Sequence, residues 1–332
     1  MTKKIITITI IVLLPLILLT GCMQNSSQQN DTAQNIYYVK ANAESDYTSI
    51  QQAINAASDG DIIIVYEGIY AETIVINKTL AIKGIDAQTT HIIGTDKTKN
   101  ILVTLNADNC TFSGFSIIGT NPSTGNIGIE ITSSHNNISH TIIANNEKGI
   151  NLKRDANNNH IHQNIFTNNQ HGIHTYFSHY NIIKDNRFSQ NESFPYIISY
   201  GIHLQNSIQI TLTNNTISHF YRGINLKGAE YSDVYYNTLQ HNTIGIYCCC
   251  GALDNIIYLN NFKQNQLHAR DDFLSNWDNG TIGNYWDDYL DLHPDAQPIN
   301  GVWNQPYYIY RWDDQEASYP KEDRYPLVHP IP

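Results

Sequence analysis

Gly128-Ile129-Glu130-Ile131, Gly149-Ile150-Asn151-Leu152, Gly172-Ile173-His174-Thr175, Gly201-Ile202-His203-Leu204, Gly223-Ile224-Asn225-Leu226 and Gly245-Ile246-Tyr247-Cys248 are six copies of one pattern. Their glycines follow one another at 21, 23, 29, 22 and 22 residues, a spacing that signals a solenoid. Two further short apolar pieces occur in each period, such as Thr141-Ile142-Ile143 or Asn164-Ile165-Phe166, with Asn beside them. Three short alternating strands per period leave no room for a helix. One period is therefore one coil of a parallel β-helix. Each strand pairs with its equivalent one coil on, about 4.8 Å away, and Ile, Leu and Val stack inside. Asn suits the corners, because it tolerates left-handed backbone and its amides can form ladders from coil to coil.

The chain opens on Lys3 and Lys4, an uncharged run from Ile5 to Leu19, and then Leu19-Thr20-Gly21-Cys22. Residues 1–22 read as a signal peptide. The final four residues resemble a lipobox, so Cys22 is expected to carry lipid and anchor the mature chain in a membrane, outside the cytoplasm. Residues 23–35, rich in Gln, Asn and Ser, read as a tether. The β-helix is expected over 36–275, with about nine coils, and a capping segment over 276–332. Without Lys3 and Lys4 the chain carries 17 basic against 30 acidic side chains. That balance argues against nucleic acid and against a general grip on acidic polymers through net charge.

A solenoid must cover its ends. Between Asp46 and Ala57, the residues Ile50, Ala53, Ile54 and Ala57 share a helical face, with Asp46 or Ser45 expected as the cap. All four tryptophans, Trp277, Trp286, Trp303 and Trp312, follow the last coil. They are expected to plug that end, where aromatic rings can also stack on sugars.

Asp46 through Gly84 resembles the start of pectin-lyase-like right-handed parallel β-helix proteins, an all-β class. Asn260-Asn261-Phe262, Gly283-Asn284-Tyr285-Trp286-Asp287-Asp288-Tyr289, Pro306-Tyr307-Tyr308-Ile309 and Asp323-Arg324-Tyr325-Pro326-Leu327 resemble the closing segment of NosD-like proteins. That resemblance implies a link to copper delivery in the maturation of nitrous oxide reductase, and an ABC transporter as a candidate partner system. Members of this family often carry a calcium-loop-like run after the Asn-Tyr-Trp segment. Here Leu290 to Pro298 lacks its glycine and its alternating carboxylates, so calcium is not expected.

Aligned on Gly-Ile, the coils give an outward row of Glu130, Asn151, His174, His203, Asn225 and Tyr247. Beside it runs a second row of Thr132, Lys153, Tyr176, Gln205, Lys227 and Cys249. His174 and His203 become neighbours, with Tyr176 alongside. The longest interval carries its excess around Glu192 to Tyr200, expected to form one wall of a shallow cleft just before His203. Glycoside hydrolysis needs two carboxyl groups about 5 to 9 Å apart, and the rows offer Glu130 alone. A lyase or epimerase could take His174 or His203 as base, Tyr176 as acid and Lys153 to neutralise a uronate.

Soft ligands for copper would be Cys248, Cys249 and Cys250, and His160, His162, His171, His174 and His179 form a dense group of histidines elsewhere in the chain. Alternation turns Cys248 inward, adjacent cysteines do not readily converge on one ion, and no CxxC spacing is present. Met23 is the single methionine after the leader, and Cys110 reads as inward, so no disulfide framework is implied. The primary expectation is a non-catalytic binding or accessory scaffold for an extracytoplasmic polysaccharide or a partner protein. A lyase or epimerase acting on acidic sugars is the alternative.

Overall fold

The computed structural model describes residues 34–41, 45–94, 101–120, 122, 125–191, 198–311 and 321–332. The leader with Cys22, all but the end of the tether, Glu192 to Ile197 of the long interval, and Trp312 lie outside the described residues. Strands from each period join three parallel sheets of eleven, nine and ten strands, each strand paired with those one coil before and after. The result is a right-handed parallel β-helix of about ten turns, close to the nine expected. Winding continues past residue 275, because Tyr285–Trp286 still pairs with Asn261 and Phe262.

The repeated isoleucine marks the core. Ile129, Ile150, Ile173, Ile202, Ile224 and Ile246 stand in one register and are fully buried. Beside them Phe166 stacks on Phe188 with ring centroids 4.5 Å apart. The repeated glycine is set by close approach of adjacent coils. A Cβ at Gly172 would lie 2.5 Å from the Gly201 carbonyl oxygen and 2.6 Å from the Phe188 ring. Any side chain there would force the coils apart.

Asparagine does form ladders. Asn164, Asn186, Asn215, Asn237 and Asn260 are buried, and each backbone N–H donates to the Oδ1 of the next Asn at 3.0 to 3.1 Å, ending on Asn284. The left-handed corner is a separate role, taken by the residue just before. Gln163, Asp185, Asn214, Tyr236 and Leu259 all have φ between 54° and 58°. So the ladder asparagine satisfies buried backbone donors, while its varied predecessor makes the bend.

Both ends are closed. The N-terminal helix is shorter than expected, Ile50–Ala56, and its cap is Ser49 rather than Asp46 or Ser45. The Ser49 side chain accepts from the Gln52 N–H, and the Glu72 carboxylate accepts from the N–H groups of Ile50 and Gln51 at 2.8 and 3.2 Å. A carboxylate at a helix N-terminus meets both the free donors and the favourable dipole. Asp46 instead accepts from the Tyr38 N–H at 2.8 Å. At the other end Trp286 is stacked between Phe262, at 4.2 Å, and Tyr307, at 4.0 Å. Trp277 is buried beside them. The Asp323 carboxylate ties this plug by accepting from the Trp286 indole at 2.9 Å and the Tyr325 N–H at 3.0 Å.

Candidate functional site

The nine-stranded sheet carries four of the five six-residue strands among the described residues, His171–Tyr176, Tyr200–Gln205, Arg222–Lys227 and Ile244–Cys249. Its register joins Glu130, Asn151, His174, His203, Asn225 and Tyr247 in one row, and Arg270 extends it. Tyr176, Gln205, Lys227 and Cys249 form the second row. A third row runs along the other flank through Lys148, His171, Tyr200, Arg222 and Ile244. The residue immediately before each glycine supplies it. That position lies outside the Gly-Ile pattern, which is why sequence reading missed it.

The rows meet in a cluster of rings. His174 and His203 approach to 5.0 Å between centroids. His203 is 4.7 Å from Tyr200 and 6.3 Å from His171, and His171 stacks on Tyr200 at 4.9 Å. The tyrosine beside His203 is therefore Tyr200. Tyr176, in the outer row, packs edge-on against Phe177 at 4.7 Å, with Arg154 over both rings.

One polar chain runs along the middle row. His174 Nδ1 lies 2.9 Å from Asn151 Oδ1, and Asn151 Nδ2 donates to Glu130 Oε2 at 3.0 Å. An amide oxygen only accepts, so Nδ1 carries the His174 proton. Lys153 reaches the same Glu130 oxygen at 3.9 Å. Further along, Arg222 donates to Asn225 Oδ1 at 3.0 Å and lies 4.2 Å over the Tyr247 ring. Tyr247 donates to Asp272, which also pairs with Arg270 at 2.8 Å.

Burial keeps the three imidazoles neutral. It pulls His171 down to about 3, His174 to about 4 and His203 to about 2, and neighbouring cations add to the effect in each case. Burial also raises Tyr200 and Tyr247 above the usual phenol range. His171 Nδ1 and His203 Nε2 are buried ring atoms with no hydrogen-bond partner.

The copper candidates separate. Cys248 faces the core and burial raises its thiol far above the usual range. Cys249 lies in a side cluster with Ile244 and Tyr247, its thiol pushed up to about 12 by burial and by Cys250. Cys250 is exposed. Two thiols on one side and a third inside do not make a cage for an ion, and a raised pKa opposes the thiolate form that binds metal. The histidines divide too: His160 and His162 lie on the eleven-stranded sheet and His179 accepts from the Ile208 N–H. Among the described residues, the one group whose ligand atoms lie within 4.8 Å of one another is His268, Asp287 and Asp288. There His268 Nε2 already meets both carboxylates, at 2.9 and 3.3 Å. Gln264 N–H and Tyr307 hydroxyl hold the outer oxygens. This knot ties the last coil to the plug, and its hard oxygens do not suit Cu(I).

Fold and face together define a pectin-lyase-like parallel β-helix with three side-chain rows on one sheet, the middle row largely buried: Asn151, His203, Asn225 and Tyr247 are covered by their neighbours. Residues 54–290 match the family described as periplasmic copper-binding protein (NosD), and the chain belongs to that family. A cell surface glycoprotein of Methanothermus fervidus is 36% identical over 80 residues, 24% of this chain. The chain matches only 13% of that relative's length. DFA-IIIase from Arthrobacter chlorophenolicus A6 superposes with a TM-score of 0.58 at 16% identity, covering 75% of this chain and 76% of that one. Alginate lyase from Paenibacillus sp. str. FPU-7 gives 0.51 at 12% identity, covering 75% and 94%. At such identities these likenesses speak for the fold.

Proposed function

We propose that this chain is an extracytoplasmic, non-catalytic scaffold whose long-stranded face holds an extended polysaccharide. The observation that carries the reading is the state of the ring cluster. Imidazoles held at about 2 to 4 are poor bases near neutral pH, since a working base is tuned close to the operating pH. The rows' single carboxylate, Glu130, is occupied by Asn151 and Lys153. What remains accessible on the face is the exposed Tyr176 with the half-buried Tyr200 and Gln205, aromatic and amide groups of the kind that hold sugar rings and hydroxyls. A lyase or epimerase at His174, His203 and Tyr176 would need a base tuned near the working pH with its acid within reach, and Tyr176 packs away from the histidines.

The periplasmic description of the family and the cell-surface relative support a place outside the cytoplasm. Lipid on Cys22 would hold the chain to the membrane there. Copper enters this reading through a partner: the chain would serve metallocentre assembly as a scaffold while another protein carries the ion.

The mature chain is expected to retain soluble glycans in affinity electrophoresis and to leave their length and stereochemistry unchanged on long incubation. Retention should fall in Tyr200→Ala. Release of shortened, unsaturated or epimerised sugars would overturn the non-catalytic reading, and failure to retain any glycan would overturn the face as a glycan site.

A further inference from the structure

We infer that Arg222, Lys227 and His203 form a carboxylate-binding subsite on this face, and that the polysaccharide it takes is a polyuronate. This rests on the glycan-binding reading and names its ligand class.

The first observation is a local reversal of charge. The chain as a whole has a formal net charge of −11. Within the three rows, from the coil of Glu130 to that of Tyr247, the cations are Lys148, Lys153, Arg222 and Lys227, against Glu130 alone. Lys153 is satisfied by Glu130. The positive end of the face therefore lies around Arg222 and Lys227, both close enough to depress His203.

The second is the condition of Arg222. Arg270 pairs with Asp272 at 2.8 Å and Arg324 with Asp278 at 2.6 Å. Arg222 has no carboxylate partner among the described residues, although the chain carries 30 acidic side chains. Of its five N–H donors, one is given to Asn225, and its Nε is buried with no partner. The guanidinium is nevertheless held in place over Tyr247, with Tyr221 at 5.3 Å and Tyr200 at 5.6 Å. A planar fork fixed in advance loses little freedom when it takes a carboxylate through two parallel hydrogen bonds.

The third is convergence. His203 pairs in register with Asn225, the residue that holds Arg222, and its ring packs on Tyr200. Its Nε2 is buried and without a partner. As the Nε2–H tautomer it adds a neutral donor beside the guanidinium. A buried polar atom left unpaired on a binding face is best explained by a ligand that completes it. Lys227 lies five residues on along the same strand, about 16 Å away at the backbone; it carries no ion pair among the described residues and adds a second cation on the face.

A carboxylate could arrive on a sugar or on a peptide. The sugar is favoured by the surroundings. The half-buried Tyr200 and the exposed Tyr176 put aromatic edges on the face, and the half-buried Gln205 adds an amide. A polymer with regularly spaced hydroxyls and carboxylates matches such a face.

The test is calorimetric titration of the mature chain with hexagalacturonate, a neutral galactose hexamer, a hexaglutamate peptide and inorganic phosphate. The acidic sugar should bind about tenfold more tightly than the neutral one, with affinity falling as salt is raised. Arg222→Gln should abolish that preference, Arg222→Lys should recover part of it, and the half-buried Lys227→Gln should weaken it a few-fold. Circular dichroism checks that each variant is folded; should Arg222→Gln not fold, Arg222→Lys and Lys227→Gln decide. An unchanged preference in those two would overturn the subsite. Equal binding of acidic and neutral hexamers would overturn the inference and leave the glycan-binding face standing, whereas no glycan binding would overturn both. Hexaglutamate or phosphate binding as tightly as hexagalacturonate would overturn the polyuronate assignment.

Discussion

At His171, His174 and His203 burial opposes charge, and this has a consequence for stability. An unfolded histidine titrates near 6.5, whereas the folded values lie at about 3, 4 and 2. As pH falls below about 6.5 the unfolded chain takes up protons that the folded chain refuses, so stability declines with acid. The ceiling is about 1.4 kcal/mol per pH unit for each histidine, reduced by whatever relaxation the face allows. The urea midpoint should therefore drop between pH 7 and pH 5. The double variant His174→Asn, His203→Asn should flatten that slope, since Asn already occupies the same row at 151 and 225. A slope unchanged by the double variant would mean that these rings are not neutral by burial. The contact of His174 with His203 was legible in the spacing of the glycines. Tyr200, His171 and Arg222 were not, because nothing in the Gly-Ile pattern marks the position before the glycine as outward. Tyr176 was placed in the right row, yet its ring turns to Phe177 and Arg154, a choice that row position alone does not determine.

Among elements, the asparagine ladder contributes specificity as well as stability. Asn215 donates to the Ile183 carbonyl at 2.9 Å and to Asn237 Oδ1 at 3.0 Å, and accepts from the Asn186 N–H at 3.1 Å. Asn215→Ala leaves buried groups on two coils without partners, each worth about 1 to 3 kcal/mol. A loss of about 3 kcal/mol is expected by denaturant titration. Asn214→Gly, one residue earlier at φ 54°, should change stability by only a few tenths of a kcal/mol, because glycine accepts that backbone freely. Equal effects at the two positions would refute the division of labour between corner and ladder. The sequence made the ladder visible through the abundance of Asn, but not that division, since Gln163, Tyr236 and Leu259 make the same bend. The helix cap shows the same limit. Glu72 reaches Ser49 and Ile50 from 23 and 22 residues away, and only the wound structure brings it there.

For the molecule as a whole, the period of the repeat made the solenoid legible, because every coil states the same pattern and each supports the next. The charge of the functional face was not legible in the same way. A net charge sums over all faces, whereas binding depends on the one where Arg222 and Lys227 lie without acidic partners among the described residues. The most direct test of the account is a crystal structure of the mature chain soaked with hexagalacturonate. A uronate carboxylate is expected about 2.8 Å from the Arg222 guanidinium, with sugar rings running along the rows past Tyr176 and Tyr200. A hexasaccharide bound on another sheet or at the aromatic plug, with no contact to Arg222, would contradict it.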